Sequence, residues 1–222
     1  MAEPLQPFRF TTHLTLTELT GRKAIDLLDL LRHLKTVPLS VIYYHTHHFV
    51  ERHHYLSPAP PNDFAFWVMH ALQESSLGER LAAIDTIQFT KLAALRDAIV
   101  AAIESHLATA PSLRTAPEGS EFSFMDMRSF LLPTPYQAHT LDEFAEALQK
   151  VSVHAIYHHV FEARLRLERG NDFAEWLGAM GEKKLAWQIT LMDPYTQTLE
   201  SLRKRILRLV ERRIFEKSHV PA

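Results

Sequence analysis

The stretch "FRFTTHLTL", residues 8–16, alternates apolar and polar side chains, and its opening returns as "FSF" at 122–124. Alternation with a period of two marks an extended chain with one face buried. Whether this stretch is a short paired strand or an arm lying on a helical core decides the fold, because most of the remaining chain has a helical period.

Phe8 and Phe10 begin a series of correspondences within the chain. Leu34, Val37, Ile42, Tyr43 and His45 recur, 114 residues later, as Leu148, Val151, Ile156, Tyr157 and His159. "NDFAFW" (62–67) is answered by "NDFAEW" (171–176), and "LAALRDAIVAAIE" (92–104) by "LESLRKRILRLVE" (199–211). Three blocks in the same order point to a duplicated unit. Between the copies, "ATAPSLRTAPEGSE" (108–121) collects Pro, Gly, Ser and Thr and reads as a linker. The expected organisation is a first repeat at 8–107, a linker at 108–121 and a second repeat at 122–217.

Within each copy the pattern is mainly helical. Leu residues recur at helical spacing in "AIDLLDLLRHL", and Pro38 can open the next helix, where its missing N–H costs nothing. Asn62 or Asp63 can cap the helix carrying Phe64 and Trp67, and Asn171 or Asp172 the helix carrying Phe173 and Trp176. Leu92, Leu95, Ile99 and Ile103 form an apolar stripe, echoed by Leu199, Leu202, Ile206 and Val210. The expected fold class is mainly α: two homologous helical repeats packed as a pseudo-two-fold bundle, each opened by a short extended segment.

With 222 residues, 46% of them hydrophobic, the chain can bury a substantial core. Its net charge of -2 disfavours nucleic acid or an anionic membrane as the general partner. One local exception stands at 203–217, where seven Arg and Lys face two Glu, which leaves an acidic protein or RNA open as a partner of that helix. The chain has no cysteine, so a metal would need His, Asp or Glu ligands. "MAEPLQPFRF" lacks the features of a secretory signal, and no run has the length of a membrane span, so the expected compartment is the cytoplasm. Nothing in the totals fixes the oligomeric state.

Fourteen histidines are the compositional oddity. Five lie in "SVIYYHTHHFVERHHYL" (40–56), and the internal comparison sorts them: His45 returns as His159, while His48 corresponds to Glu162. His45 with His48, and His159 with Glu162, are three residues apart and share a helical face. If the two helices faced each other, these four could hold one divalent zinc, iron or manganese ion. The alternative is that His45 and His159 are buried and hydrogen-bonded, with Asp63 and Asp172 as partners. Tyr43, Asp63, Trp67, Tyr157, Asp172 and Trp176 could line a site for a small polar ligand, or serve as caps and core aromatics. His154 and His158 form an H-x-x-x-H pair without an equivalent in the first copy. P-loop, G-x-G-x-x-G, G-x-S-x-G and H-E-x-x-H motifs are all absent, which disfavours the familiar nucleotide hydrolases, Rossmann dehydrogenases, serine hydrolases and zincins.

Taken together, "SVIYYHTHHF" (40–49), "NDFAFW" and "LGERLAAID" (77–85), with "AIYHHVFEAR" (155–164) and "NDFAEW", resemble a family of bacterial proteins known only as a domain of unknown function. That family is typified by S-I-Y-H-H-F, then N-D-F-x-x-W, then L-x-E-R-L-x-x-I-D. The resemblance points to Tyr43, His45, Asp63 and Trp67 and to their counterparts Tyr157, His159, Asp172 and Trp176. The second copy departs from the pattern, with Ala155 in place of the serine and no clear E-R-L. The family lends no reaction. The functional expectation is a helical binding protein with a His/Asp-lined central site for a metal ion or small polar ligand. Its rival is a protein-interaction module with structural histidines and the Arg-rich last helix as contact surface. A metal-dependent enzyme using His45 or His159 is a third reading.

Overall fold

In a computed structural model of the chain, the residues described are 6–47, 62–109, 114–163, 170–192 and 198–219. The alternating stretches are true strands. β1 (Phe8–Ala24) and β2 (Phe122–Ala138) run for 17 residues each and pair into a two-stranded antiparallel sheet. The Thr20 hydroxyl donates to the Phe124 carbonyl and the Thr134 hydroxyl to the Phe10 carbonyl. In both bonds the residue numbers add to 144, the constant sum of an antiparallel register.

After β1 come α1 (Leu27–Leu34), α2 (Leu39–Thr46), α3 (Asp63–His70), α4 (Ser75–Ala82) and the long α5 (Leu92–Thr109). After β2 come α6 (Leu141–Lys150), α7 (Val153–Tyr157), a π-helical turn (His158–Glu162), α8 (Asp172–Ala179), α9 (Lys183–Thr190) and α10 (Leu199–Ser218). The caps are those the sequence suggests. Asn62 Oδ1 accepts from Ala65 N–H at 2.8 Å, and Asn171 Oδ1 from Ala174 N–H at 2.9 Å. Asn is therefore the cap in both cases, which leaves the following Asp free for another task. The stripes Leu95, Ile99, Ile103 and Leu199, Leu202, Ile206, Val210 are buried as their spacing requires.

The fold class expected from sequence needs correction on two counts. The extended openings are not short segments on a helical bundle but long strands that pair with each other, so the chain is helical with an added antiparallel sheet. Alternation of apolar residues fades after Leu16, yet the strand continues, because Thr-rich sequence tolerates extension and a partner of equal length supplies the backbone bonds. In place of a pseudo-two-fold bundle, the chain divides into two compact units. One contains β1 up to Leu14 and the chain from Phe130 onward; the other contains Thr15–Ser129, apart from residues outside those described.

Each unit thus takes its aromatic strand residues from the other end of the sequence. In the first, Phe8 meets Phe144, Phe173 and Trp176 with ring centroids 5.6, 5.3 and 5.7 Å apart, and Phe10 meets Phe144 at 5.4 Å. In the second, Phe122 stacks on Phe64 at 5.2 Å and meets Trp67 at 5.7 Å, and Phe122 and Phe124 join the core of Leu27, Leu30, Leu34, Ile42 and Val68. The indole N–H groups fasten the chain just before each strand: Trp67 Nε1 donates to Ser120 O at 2.7 Å, and Trp176 Nε1 to Gln6 O at 3.1 Å.

The Arg-rich α10 is partly neutralised from within its own unit. Glu182, buried at the start of α9, accepts from Arg213 Nε at 2.6 Å and lies 2.5 Å from Lys217 Nζ. Burial alone would raise the Glu182 carboxyl; the hydrogen bonds and charges of Lys217 and Arg213 outweigh it and hold the pKa below the ordinary carboxylate value. Phe124 has no exposed surface, and Phe124→Ala should lower unfolding stability by about 3–5 kcal/mol in urea titrations followed by circular dichroism. A loss below about 1 kcal/mol would mean that the strand is not part of that core.

Candidate functional site

A two-stranded sheet satisfies one edge of each strand, and every second N–H points away from its partner. In β2 two of these outward positions are Pro133 and Pro135, which have no N–H to satisfy. Two others are met by histidine. Met125 N–H donates to His45 Nε2 at 3.0 Å, and Thr11 N–H donates to His159 Nε2 at 2.8 Å. Each ring is held from behind by the Asp that follows the capping Asn: His45 Nδ1 lies 2.8 Å from Asp63 Oδ2, and His159 Nδ1 lies 2.7 Å from Asp172 Oδ2. A backbone N–H can only donate, so Nε2 carries the lone pair and Nδ1 the proton that goes to the carboxylate. Both nitrogens of both rings are committed inside the protein.

This geometry locates the residues singled out from sequence. His45, Asp63, Tyr43 and Trp67 lie in one unit, and His159, Asp172, Glu162, Tyr157 and Trp176 in the other. His48 is outside the described residues. His45 and His159 act as acceptors for a strand edge, through the Asp partners that the repeat suggests. Tyr43 is buried and stacks on His47 at 5.2 Å, Tyr157 stacks on Phe161 at 5.1 Å, and the two tryptophans bind backbone carbonyls. Glu162, expected beside His159, instead accepts from His158.

That contact belongs to a cluster within the unit that ends the chain. α7 opens at Ser152, whose Oγ accepts from Ala155 N–H at 3.3 Å and lies 3.2 Å from Thr12 Oγ1 of β1. The helix then widens: Ala163 N–H reaches His158 O, five residues back, as a π-turn requires. Such turns insert a residue and concentrate at functional sites. Across the widened turn His158 Nδ1 donates to Glu162 Oε2 at 2.6 Å, and His13 of β1 brings Nδ1 to 3.8 Å from the same oxygen. His13, His158 and Glu162 each offer a ligand atom, all within 4.8 Å of one another, and both histidines are buried. A second triple, His158, His159 and Asp172, meets the same distance limit. It is the poorer donor set, because the His159 lone pair is already taken by Thr11 N–H.

No sequence comparison reaches this cluster. His13 stands 145 residues before His158, and the positions 114 residues away from His13 and His158 are Met127 and Tyr44. A search for residues present in both copies discards both histidines. The one available signal was the unmatched His154 and His158 pair.

Fold and site together define a mainly helical protein with a two-stranded ribbon, histidine clamps on the ribbon edges and a His/Glu cluster whose two histidines are buried. The chain belongs to the family of unknown function DUF5752, which it matches over residues 5–211. It is similar in structure to OrfY from Thermoproteus tenax, with a TM-score of 0.78 and 27% sequence identity over 95% of this chain and 97% of that one. No functionally curated protein matches it. Among the described residues, no helix is long and apolar enough to cross a membrane.

The clamps predict a specific cost. His45→Ala leaves the Met125 N–H without its acceptor and should destabilise the protein by about 1–3 kcal/mol. His45→Gln, whose amide oxygen can accept, should recover part of the loss in the same denaturation assay. His47 predicts a pH dependence. Burial lowers its pKa from 6.5 to about 4, so on acidification the unfolded chain takes up the proton first. Its contribution is complete above pH 6.5 and declines as the pH falls to 4, by about 3 kcal/mol in all. His47→Gln should flatten the stability profile across that window.

Proposed function

We propose that this protein binds a divalent transition-metal ion, with zinc as the best chemical match, through His13, His158 and Glu162. The observation that carries the reading is the convergence of three ligand atoms within 4.8 Å, two of them on buried imidazoles. Two imidazoles with one carboxylate suit zinc, iron or manganese, whereas magnesium and calcium prefer oxygen alone. The cluster holds a proton that the metal would displace, the one donated by His158 Nδ1 to Glu162 Oε2. Glu162 is the least buried of the three and can withdraw from 2.6 Å to the wider separation of two ligands on one ion.

The neighbouring clamp supports the same reading. His159 fixes β1 through Thr11, two residues from His13, and Ser152 meets Thr12. The strand is thereby held against the helix before any metal arrives, which lowers the ordering cost of closing a site between distant residues.

A second reading rests on α10, where Lys204, Arg205, Arg208 and Arg212 are exposed and Phe215 is 61% exposed. That face has the chemistry to meet an acidic protein surface, with Arg213 and Lys217 engaged by Glu182.

Isothermal titration of tag-free protein with zinc should give one site per chain, with heats that depend on the buffer's ionisation enthalpy because a proton is released. His13→Ala and His158→Ala should abolish that site while circular dichroism shows a folded protein. Undiminished zinc binding by both variants, or none by the wild type, would overturn the reading.

A further inference from the structure

We propose that His154 is the fourth ligand of this site, closing over the metal from the solvent side; the inference rests on the reading of His13, His158 and Glu162 as metal ligands. Three protein ligands leave a tetrahedral ion one position short. His154 stands four residues before His158, one helical turn away and on the same face. Its ring centroid lies 5.8 Å from that of His13, nearer than the 6.3 Å between His13 and His158. Both imidazoles of this helical segment thus neighbour His13, and Glu162 joins His13 and His158 from the π-turn.

Burial divides the four into two kinds. His13 and His158 are buried, whereas His154 is exposed and sits in the first turn of α7, next to the Ser152–Thr12 contact. That contact fixes the distance between the two backbones that carry His154 and His13. His154 thus stands on the solvent side of the buried ligands, where an arriving ion meets it first. A site built in this way takes up and releases its metal, unlike one closed by four buried ligands. The proposed ligand set is three imidazoles and one carboxylate, and the ion class is zinc(II) or its spectroscopic substitute cobalt(II).

Cobalt(II) tests the two levels separately, because four-coordinate cobalt gives intense visible bands and higher coordination gives weak ones. Wild-type protein should bind one equivalent of cobalt with intense bands, and added zinc should displace it. His154→Ala, an exposed substitution with little effect on folding, should still bind one equivalent, about 10-fold or more weakly, with the bands reduced. Added imidazole should restore the bands in His154→Ala and leave His13→Ala unable to bind. If His154→Ala binds cobalt with unchanged affinity and an unchanged spectrum, the fourth-ligand proposal is overturned and the three-residue site stands. If the wild type binds neither cobalt nor zinc, the metal reading itself fails, and this inference with it.

Discussion

A strand in a two-stranded ribbon has N–H groups on its outer edge that its partner cannot meet, and where helices pack over that edge those donors need other acceptors. Here the acceptors are histidine side chains. His45 and His159 each receive a strand N–H on Nε2 and pass the Nδ1 proton to an Asp at the start of a following helix. The bond fixes more than a single donor. It sets the ring tautomer, seats α3 and α8 through Asp63 and Asp172, and places the aromatic residues on either side of the clamped position in the core. A buried amide without this acceptor would cost as much as several ordinary surface contacts contribute.

The clamps also explain how residues distant in sequence share a core. Phe8 and Phe10 enter the unit formed by the later helices, and Phe122 and Phe124 the unit formed by the earlier ones. Neither set of helices is complete without strand residues from the other end of the chain. The same exchange brings His13 to His158 and Glu162, so the candidate site exists only because β1 is held where Thr11 meets His159.

Internal comparison picked out residues that bond strand to helix and passed over the His13, His158 and Glu162 cluster. It isolated His45, His159, Asp63, Asp172 and the two tryptophans, all of which hold the fold. The two histidines that meet Glu162 are ones that one copy has and the other lacks: His13 and His158, whose positions correspond to Met127 and Tyr44. What two copies share reports on what both must do to fold. A site present once is invisible to that test, however strong its geometry.

By itself the sequence determined the helical periods, a cap at Asn62 or Asp63 and at Asn171 or Asp172, and the buried stripes of α5 and α10, because all of these depend on neighbours in the chain or on residue type; the structure chose Asn as the cap and Asp as the histidine's partner. It also showed that the openings at Phe8 and Phe122 are extended. Only the tertiary structure decided that these openings are full-length strands bound to each other, that each supplies the other's helices, and that His13 lies beside Glu162. Those facts depend on contacts across more than a hundred residues, set by register and by the need to satisfy strand donors, and no local period or spacing encodes them.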